Sequence, residues 1–260
     1  MLSYKKLKKN PVRFLAATSL TVEEFENLLP AFEAAYEKKY PREKTLEGQS
    51  RQRSAGGGAK GLLDNFEDRL LFILVYQKTN PIQQMHGLQF GMSQSQANYW
   101  IHHLPPILRQ ALDDLGHKPE RDGDQVAESH SATQGMPEFA IDGAERRRQR
   151  PKNDETQKER YSGKQKAHTD KNILLVNEQT TKVAYLGPTV PGKRRDKKMA
   201  DEAQISYPAN AKLDKDTGFQ GYEPEGVITA ILSTKNEFCS KLAEWQRVTH
   251  NSNSLLHLTN

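Results

Sequence analysis

The chain has 260 residues, room for one large domain or two small ones, and its 35% hydrophobic and 27% charged content implies small cores under much solvated surface. A net charge of +5 favours a polyanionic partner, and no apolar run approaches the roughly 20 residues that a membrane helix needs, so no membrane is expected and the reading is cytoplasmic. The Lys-rich start lacks the apolar stretch of a signal peptide, and with Cys239 the single cysteine, an intramolecular disulfide and a cysteine zinc site are both excluded.

In chain order, the first strong helix signal covers residues 20–40. Thr21 can cap, Glu24 completes a capping box, and Phe25, Leu28, Leu29, Phe32 and Tyr36 follow at helical spacing until Pro41. Residues 48–60 read as a basic linker, with Arg51, Arg53 and Gly56, Gly57 and Gly58. Their GGGAKG has the wrong spacing for a phosphate loop, follows no strand, and has no Ser or Thr after the lysine. Three short helices are then expected. The first spans about 66–78. The second is capped by Asn80, has Pro81 at its first position, and runs to about Leu88. The third is capped by Ser93 and covers about 94–104. A glycine turn at Gly91 between two short helices is a helix-turn-helix pattern. Pro105 and Pro106 should interrupt it before a further helix over 107–115.

Helical spacing turns Ala97, Trp100, Ile101 and Leu104 inward. It leaves Gln94, Ser95, Gln96, Asn98 and Tyr99 as candidate DNA-reading residues, because an amide can donate to and accept from adenine in the major groove. The bland alternative is a polar surface helix over a three-helix core. Residues 116–135 are polar and irregular and read as a linker. Beyond them the pattern becomes β-type, with strands expected over 138–142, 173–176, 183–186, 211–216 and 227–232. The tight connection over 177–182 makes the second and third of these antiparallel, and a helix is expected over 196–203.

Two aspartates stand out by position. Asp142 follows the apolar Phe139, Ala140 and Ile141 and precedes Gly143; Asp216 follows another short strand and opens a glycine-containing turn. Carboxylates from neighbouring strand ends can hold Mg²⁺, or Mn²⁺, for in-line phosphodiester displacement, although both are also common turn formers before glycine. Between them, residues 146–171 form a charge-dense run. Arg146, Arg147, Arg148, Arg150, Lys164 and Lys166 are candidate phosphate contacts there, against the plainer reading of a solvated face. The histidines show no ligand spacing.

These segments carry a resemblance. IDGAERRRQRPKNDETQKERYSGKQKAHTDKN looks like the region around the first catalytic aspartate of bacterial insertion-sequence transposases of the DDE superfamily. LDKDTGFQGYEPEG resembles the stretch around their second aspartate, and GPTVPGKRRDKKMADE is similar to the helix between. FGMSQSQANYWIHHLPPIL resembles their N-terminal DNA-binding module. The resemblance spans about residues 60–235. It implies an α+β chain with a helical region over 1–115, helix-turn-helix at about 65–104, and a ribonuclease H-like mixed sheet with flanking helices over 136–260. It also implies Asp142 and Asp216 as catalytic, metal-binding carboxylates, and His168 as a supporting DNA contact. The implied activity is cleavage and transfer of DNA strands at element ends, with element and target DNA as partners, a homodimer as a candidate assembly, and a nucleoid-associated place in a bacterium. The family's third acid, a glutamate in a block like VEHAIGRIKR, has no match. Glu237 and Glu244 stand outside that context, so the expectation is a nuclease domain incomplete at its C-terminus and weakened or dead in catalysis.

Overall fold

The computed structural model describes residues 1–41, 49–50 and 61–232. The expected linker around Gly56, the candidate acids Glu237 and Glu244, and Cys239 lie outside the described residues. Two compact units divide the chain, with Met1–Gly116 in the first and the described residues from His117 onward in the second. Among the described residues, no helix is long and apolar enough to cross a membrane.

The first unit is all helical: α1 (Tyr4–Leu7), α2 (Pro11–Thr18), α3 (Val22–Lys39), α4 (Phe66–Thr79), α5 (Gln83–Phe90), α6 (Gln94–His103) and α7 (Pro105–Asp114). Its core gathers Phe14, Phe25, Phe32, Leu70, Leu71, Phe72, Ile73, Phe90 and Leu104, all at most 1% exposed. The capping box expected at Thr21 is present, with Thr21 N–H donating to Glu24 and Glu24 N–H donating to Thr21 Oγ1. The short α2 begins on an Asn10 cap followed by Pro11, a start signal that the apolar periodicity alone does not reveal.

Two expectations are corrected here. Asn80 does not cap the second short helix; it ends α4 in the left-handed conformation at φ 41°, its N–H bonded to Tyr76 O, and α5 starts later at Gln83. Asparagine tolerates that conformation, and Pro81 prevents α4 from continuing. Pro105 and Pro106 do not separate the helices. They occupy the first turn of α7, where their missing N–H groups have no intrahelical partner to lose, so Leu104 ends α6 and begins α7 without leaving helical geometry.

The second unit is a mixed, curled sheet with helices. Its elements are α8 (His130–Thr133), β1 (Glu138–Arg147), α9 (Asp154–Arg160), β2 (Tyr161–Ser162), β3 (Ala167–Asn177), β4 (Val183–Leu186), β5 (Val190–Pro191), α10 (Asp196–Ala203), β6 (Lys212–Lys215) and β7 (Ile228–Ile231). The strands run in the order β2-β3-β1-β6-β7, with β4 and β5 also paired to β3. β1 is antiparallel to β3 and parallel to β6, which is parallel to β7; β3 and β4 are antiparallel as expected. Phe139, Ile141, Ile173, Leu175 and Leu213 point from one face into a core shared with Met199 and Ala200 of α10 and with Phe219 and Tyr222.

Residues expected to be a linker pack into this unit. Glu120 bridges β4, donating to Ala184 O and accepting from Leu186 N–H, and Gly123–Glu128 form a 3₁₀ turn that buries Val126 completely. Gly123 lies so close to α10 that a methyl group there would stand 1.9 Å from Ala203 O. A polar average composition conceals these few anchoring positions.

Candidate carboxylate site and nucleic-acid interface

Strand β1 does not end at Asp142 as its apolar stretch suggests. It continues to Arg147, with Asp142 opposite Leu174 and Arg147 opposite Thr169 on β3. Cross-strand bonds sustain this polar half: Thr169 Oγ1 donates to Glu145 at 2.6 Å, Arg146 donates to Asn172 at 2.6 Å, and Arg148 pairs with Asp170 at 3.1 Å. The charge-dense run is therefore an arm of paired strands interrupted by α9, with Arg160 also bonded to Asp170.

On the other side of β1, pairing with β6 ends at Ile141 opposite Lys215. One residue further along each parallel strand stand Asp142 and Asp216, next to each other. Strand alternation turns Asp142 away from the buried Ile141, and Asp216 stands just past the end of β6, opening the 3₁₀ turn Thr217–Phe219. Each carboxylate is braced locally: Asp142 Oδ1 accepts the Gly143 N–H at 2.7 Å, and Asp216 Oδ1 accepts the Gly218 N–H at 2.8 Å. Burial pushes the Asp142 carboxyl up to about 6; the Gly143 N–H offsets part of this, the neighbouring Asp216 and Asp196 carboxylates add to it, and Lys164 opposes it.

Asp196, the first residue of α10, is a feature that the strand pattern did not single out. Its Oδ1 accepts from Lys171 Nζ at 3.1 Å, and Lys171 is itself only 6% exposed. Glycine at two positions makes room for it. A methyl group at Gly143 would lie 2.4 Å from Asp196 Oδ1, and one at Gly218 would lie 3.1 Å from Asp196 Oδ2 and 3.0 Å from Asp216 Oδ1. The Asp-Gly pair at 142–143 and the glycine two residues after Asp216 are the signals that could have located it. Asp196 thus stands beside Gly143 and Gly218, close to Asp216, and is one of the two carboxylates that neighbour Asp142. Among the described residues no group of three or more His, Cys, Asp or Glu side chains is arranged to hold a metal ion. Lys215, wholly buried, is tied to Glu223 at 2.6 Å and to Tyr222 O, so it steadies the strand carrying Asp216.

Of the cations expected to meet phosphate, Arg146 and Arg148 are engaged as described, and Arg150 donates to Gln157 at 2.8 Å. Arg147, Lys164 and Lys166 are exposed and form no ion pair among the described residues. Lys166 sits at φ 49° in the turn between β2 and β3. His168, half-buried on β3, meets Tyr161 edge-on at 5.7 Å.

In the first unit, Ser93 and Gln96 form a reciprocal capping box at the start of α6. Gln94, Ser95, Gln96, Asn98 and Tyr99 are all exposed, while Ala97, Ile101 and Leu104 are buried and Trp100 half-buried. The amide oxygen of Gln96 accepts from Ser93 in the cap, Asn98 donates to Gln83 at 3.1 Å, and Tyr99 stacks on His103 at 3.7 Å. Gln94 and Ser95 make no side-chain hydrogen bond among the described residues, so their donors and acceptors are uncommitted. Gly91, at φ 72°, makes the turn between α5 and α6.

No curated protein and no solved structure matches the chain. A family model described as the helix-turn-helix of DDE superfamily endonuclease matches residues 62–114, the stretch containing α4 to α7. Over those residues the first unit is thus similar to the helix-turn-helix of DDE superfamily endonucleases.

Proposed function

We propose that the protein is a transposase-type DNA endonuclease, in which α6 reads DNA and the second unit cuts a phosphodiester strand at Asp142 and Asp216. The observation that carries this reading is the parallel register of β1 and β6, which brings the two aspartates to adjoining positions one residue past its end, near enough for Asp216 to act on the Asp142 carboxyl. The sheet order, with a central strand antiparallel to one neighbour and parallel to the other, supports a ribonuclease H-like domain. The matched helix-turn-helix supplies the DNA-binding half.

The donor set fits a hard divalent cation. Mg²⁺ keeps several waters and needs one or two carboxylates plus substrate phosphate, and an Asp142 carboxyl held near 6 by burial and like charge is one whose ionised form a cation stabilises. Asp142 and Asp216 would hold Mg²⁺ or Mn²⁺, which supplies water activation and stabilises the leaving oxygen. The chain's own part is orientation. The two backbone-braced carboxylates fix the position, and Arg147, Lys164 and Lys166 guide the phosphate backbone. Strand transfer at element ends, a nucleoid setting and a bacterial insertion-sequence origin are what the resemblance adds.

A second reading is a DNA-binding protein of this type without cleavage, favoured by the lack of a three-acid cluster among the described residues. One experiment separates them: nicking of DNA with Mg²⁺ or Mn²⁺ by the full chain and by its Asp142→Asn and Asp216→Asn variants, with DNA affinity measured alongside. Metal-dependent nicking lost in both variants at unchanged affinity is the expected result. Binding without nicking by the unaltered chain selects the second reading, and nicking that survives both substitutions removes the site assignment.

A further inference from the structure

A cavity of about 280 Å³ opens in the second unit, between the end of α10, residues 121–124 and the connection from β4 to β5. Ile173, Val190, Met199 and the ring of Tyr185 form its apolar wall, and Arg121 and Asp122 stand on its polar side. The segment carrying those two charges is fixed at both ends. Glu120 exchanges backbone bonds with Ala184 and Leu186 of β4, and Ser206 donates to Gly123 O and, through its hydroxyl, to Asp124 O at 2.8 Å. Tyr185 is 2% exposed, yet its hydroxyl makes no hydrogen bond among the described residues and is not sealed from the cavity that its ring lines. Burial raises the pKa of that hydroxyl, Arg121 opposes the rise and Asp122 adds to it, so both charges act on the same oxygen. Among the described residues neither Arg121 nor Asp122 has an ion pair; Asp122 accepts the Asp124 N–H at 3.4 Å.

A buried hydroxyl without a partner, beside a guanidinium and a carboxylate without ion pairs, is a set of groups that a polar ligand completes. The guanidinium offers parallel donors and needs two adjacent acceptors; the carboxylate offers two acceptors and needs two adjacent donors. Among nucleic-acid bases guanine alone carries both, with O6 and N7 on one edge and N1–H with the N2 amino group on the next. Its flat face suits the apolar wall and the Tyr185 ring, and the space, at the low end of small-ligand cavities, takes one heterocycle. A neutral base also meets both charges without bringing further ions into the cavity, as a free amino acid would. We propose that this cavity binds a guanine ring, with Arg121 donating to O6 and N7, Asp122 accepting from N1–H and the N2 amino group, and the Tyr185 hydroxyl as a third contact. Two sources share this chemistry: a free guanine nucleoside or nucleotide, and a guanine swung out of DNA. The cavity shares no residue with Asp142 and Asp216, so the assignment holds whether or not the second unit cleaves DNA.

Equilibrium dialysis of the full chain against guanosine, inosine and adenosine, up to about 1 mM, tests this. None of the three carries a phosphate for the basic arm to capture. Saturable guanosine binding is expected, weaker by about tenfold for inosine, which lacks the N2 amino group, and weaker still for adenosine. Asp122→Asn retains an oxygen for the Asp124 N–H, so the fold is kept, and it should weaken guanosine binding at least about tenfold. A second arm compares DNA duplexes with one guanine, or one adenine, opposite an abasic position. A gain for the unpaired guanine that Asp122→Asn abolishes assigns the ring to DNA, and guanosine binding without that gain assigns it to a free nucleoside or nucleotide. Neither guanosine binding nor a gain for unpaired guanine, adenosine bound as well as guanosine, or binding indifferent to Asp122→Asn overturns the proposal.

Discussion

At Asp142, burial and two neighbouring carboxylates favour the protonated form, and this has a consequence for stability. The folded-state value of about 6 stands above the ordinary 3.8. Between those values the folded protein takes up a proton that the unfolded chain has released, so Asp142 favours folding fully below about pH 4. That contribution disappears as pH rises through 6, at a total of about 3 kcal/mol. Asp142→Asn, which cannot ionise, should therefore be more stable than the parent at pH 8 and nearly equal to it at pH 4, as read from urea unfolding midpoints. An unchanged difference across that range would mean that the carboxylate is not desolvated as described. Mg²⁺ should narrow the gap at pH 8 if Asp142 ligates it, giving a binding readout independent of cleavage.

Helices α5 and α6 are held at their turn by a residue that attracts no notice in the sequence. Gly91 is the visible turn glycine, yet Gly87 makes the tighter fit: a methyl group there would lie 2.7 Å from Met92 O and 3.1 Å from Ser93 O, both backbone atoms. Gly87→Ala should cost about 1–3 kcal/mol and weaken DNA binding by displacing α6. Beside it, His86 is packed against Phe72, Tyr76 and Phe90, and burial lowers its value to about 4 against a small opposing contact with the Phe72 backbone. Below pH 6.5 the unfolded chain binds a proton that the folded His86 refuses, so stability is full above 6.5 and falls toward pH 4. His86→Leu should flatten that fall, measured as the unfolding midpoint between pH 8 and pH 5. Elements with a strong local code were legible: the capped α3 and α6, the apolar end of β3 over 173–176, β4 and α10 all lie close to where their residues point, whereas the polar residues 167–172 of β3 were not foreseen. The polar half of β1, the packing of residues 117–135 and the approach of Asp196 were not legible. Each rests on a partner distant in sequence, Thr169, Ala203 and Lys171 respectively, and local periodicity carries no record of such partners.

Charge is unevenly placed along the molecule. Residues 146–171 hold ten Lys and Arg against four Asp and Glu, a net +6, so the rest of the chain, at a total of +5, carries −1. The residues around α6, by contrast, are uncharged. DNA affinity and DNA discrimination should therefore separate by region. Counterion release makes the salt slope of binding a count of phosphate contacts, with each neutralised cation lowering it by about one. Arg147→Ala, Lys164→Ala and Lys166→Ala, exposed and without ion pairs among the described residues, should each weaken binding to all sequences and reduce the slope by about one. Arg146→Ala and Arg148→Ala should lower the slope less, because Asn172 and Asp170 already engage those side chains. Gln94→Ala should leave the slope unchanged and narrow the gap between preferred and random DNA, by about 1–3 kcal/mol if it makes a bidentate base contact. Affinities measured at several salt concentrations on both DNAs check all six variants. A Gln94 variant that lowers the slope, or arm variants that leave it untouched, would place the phosphate contacts elsewhere in the chain.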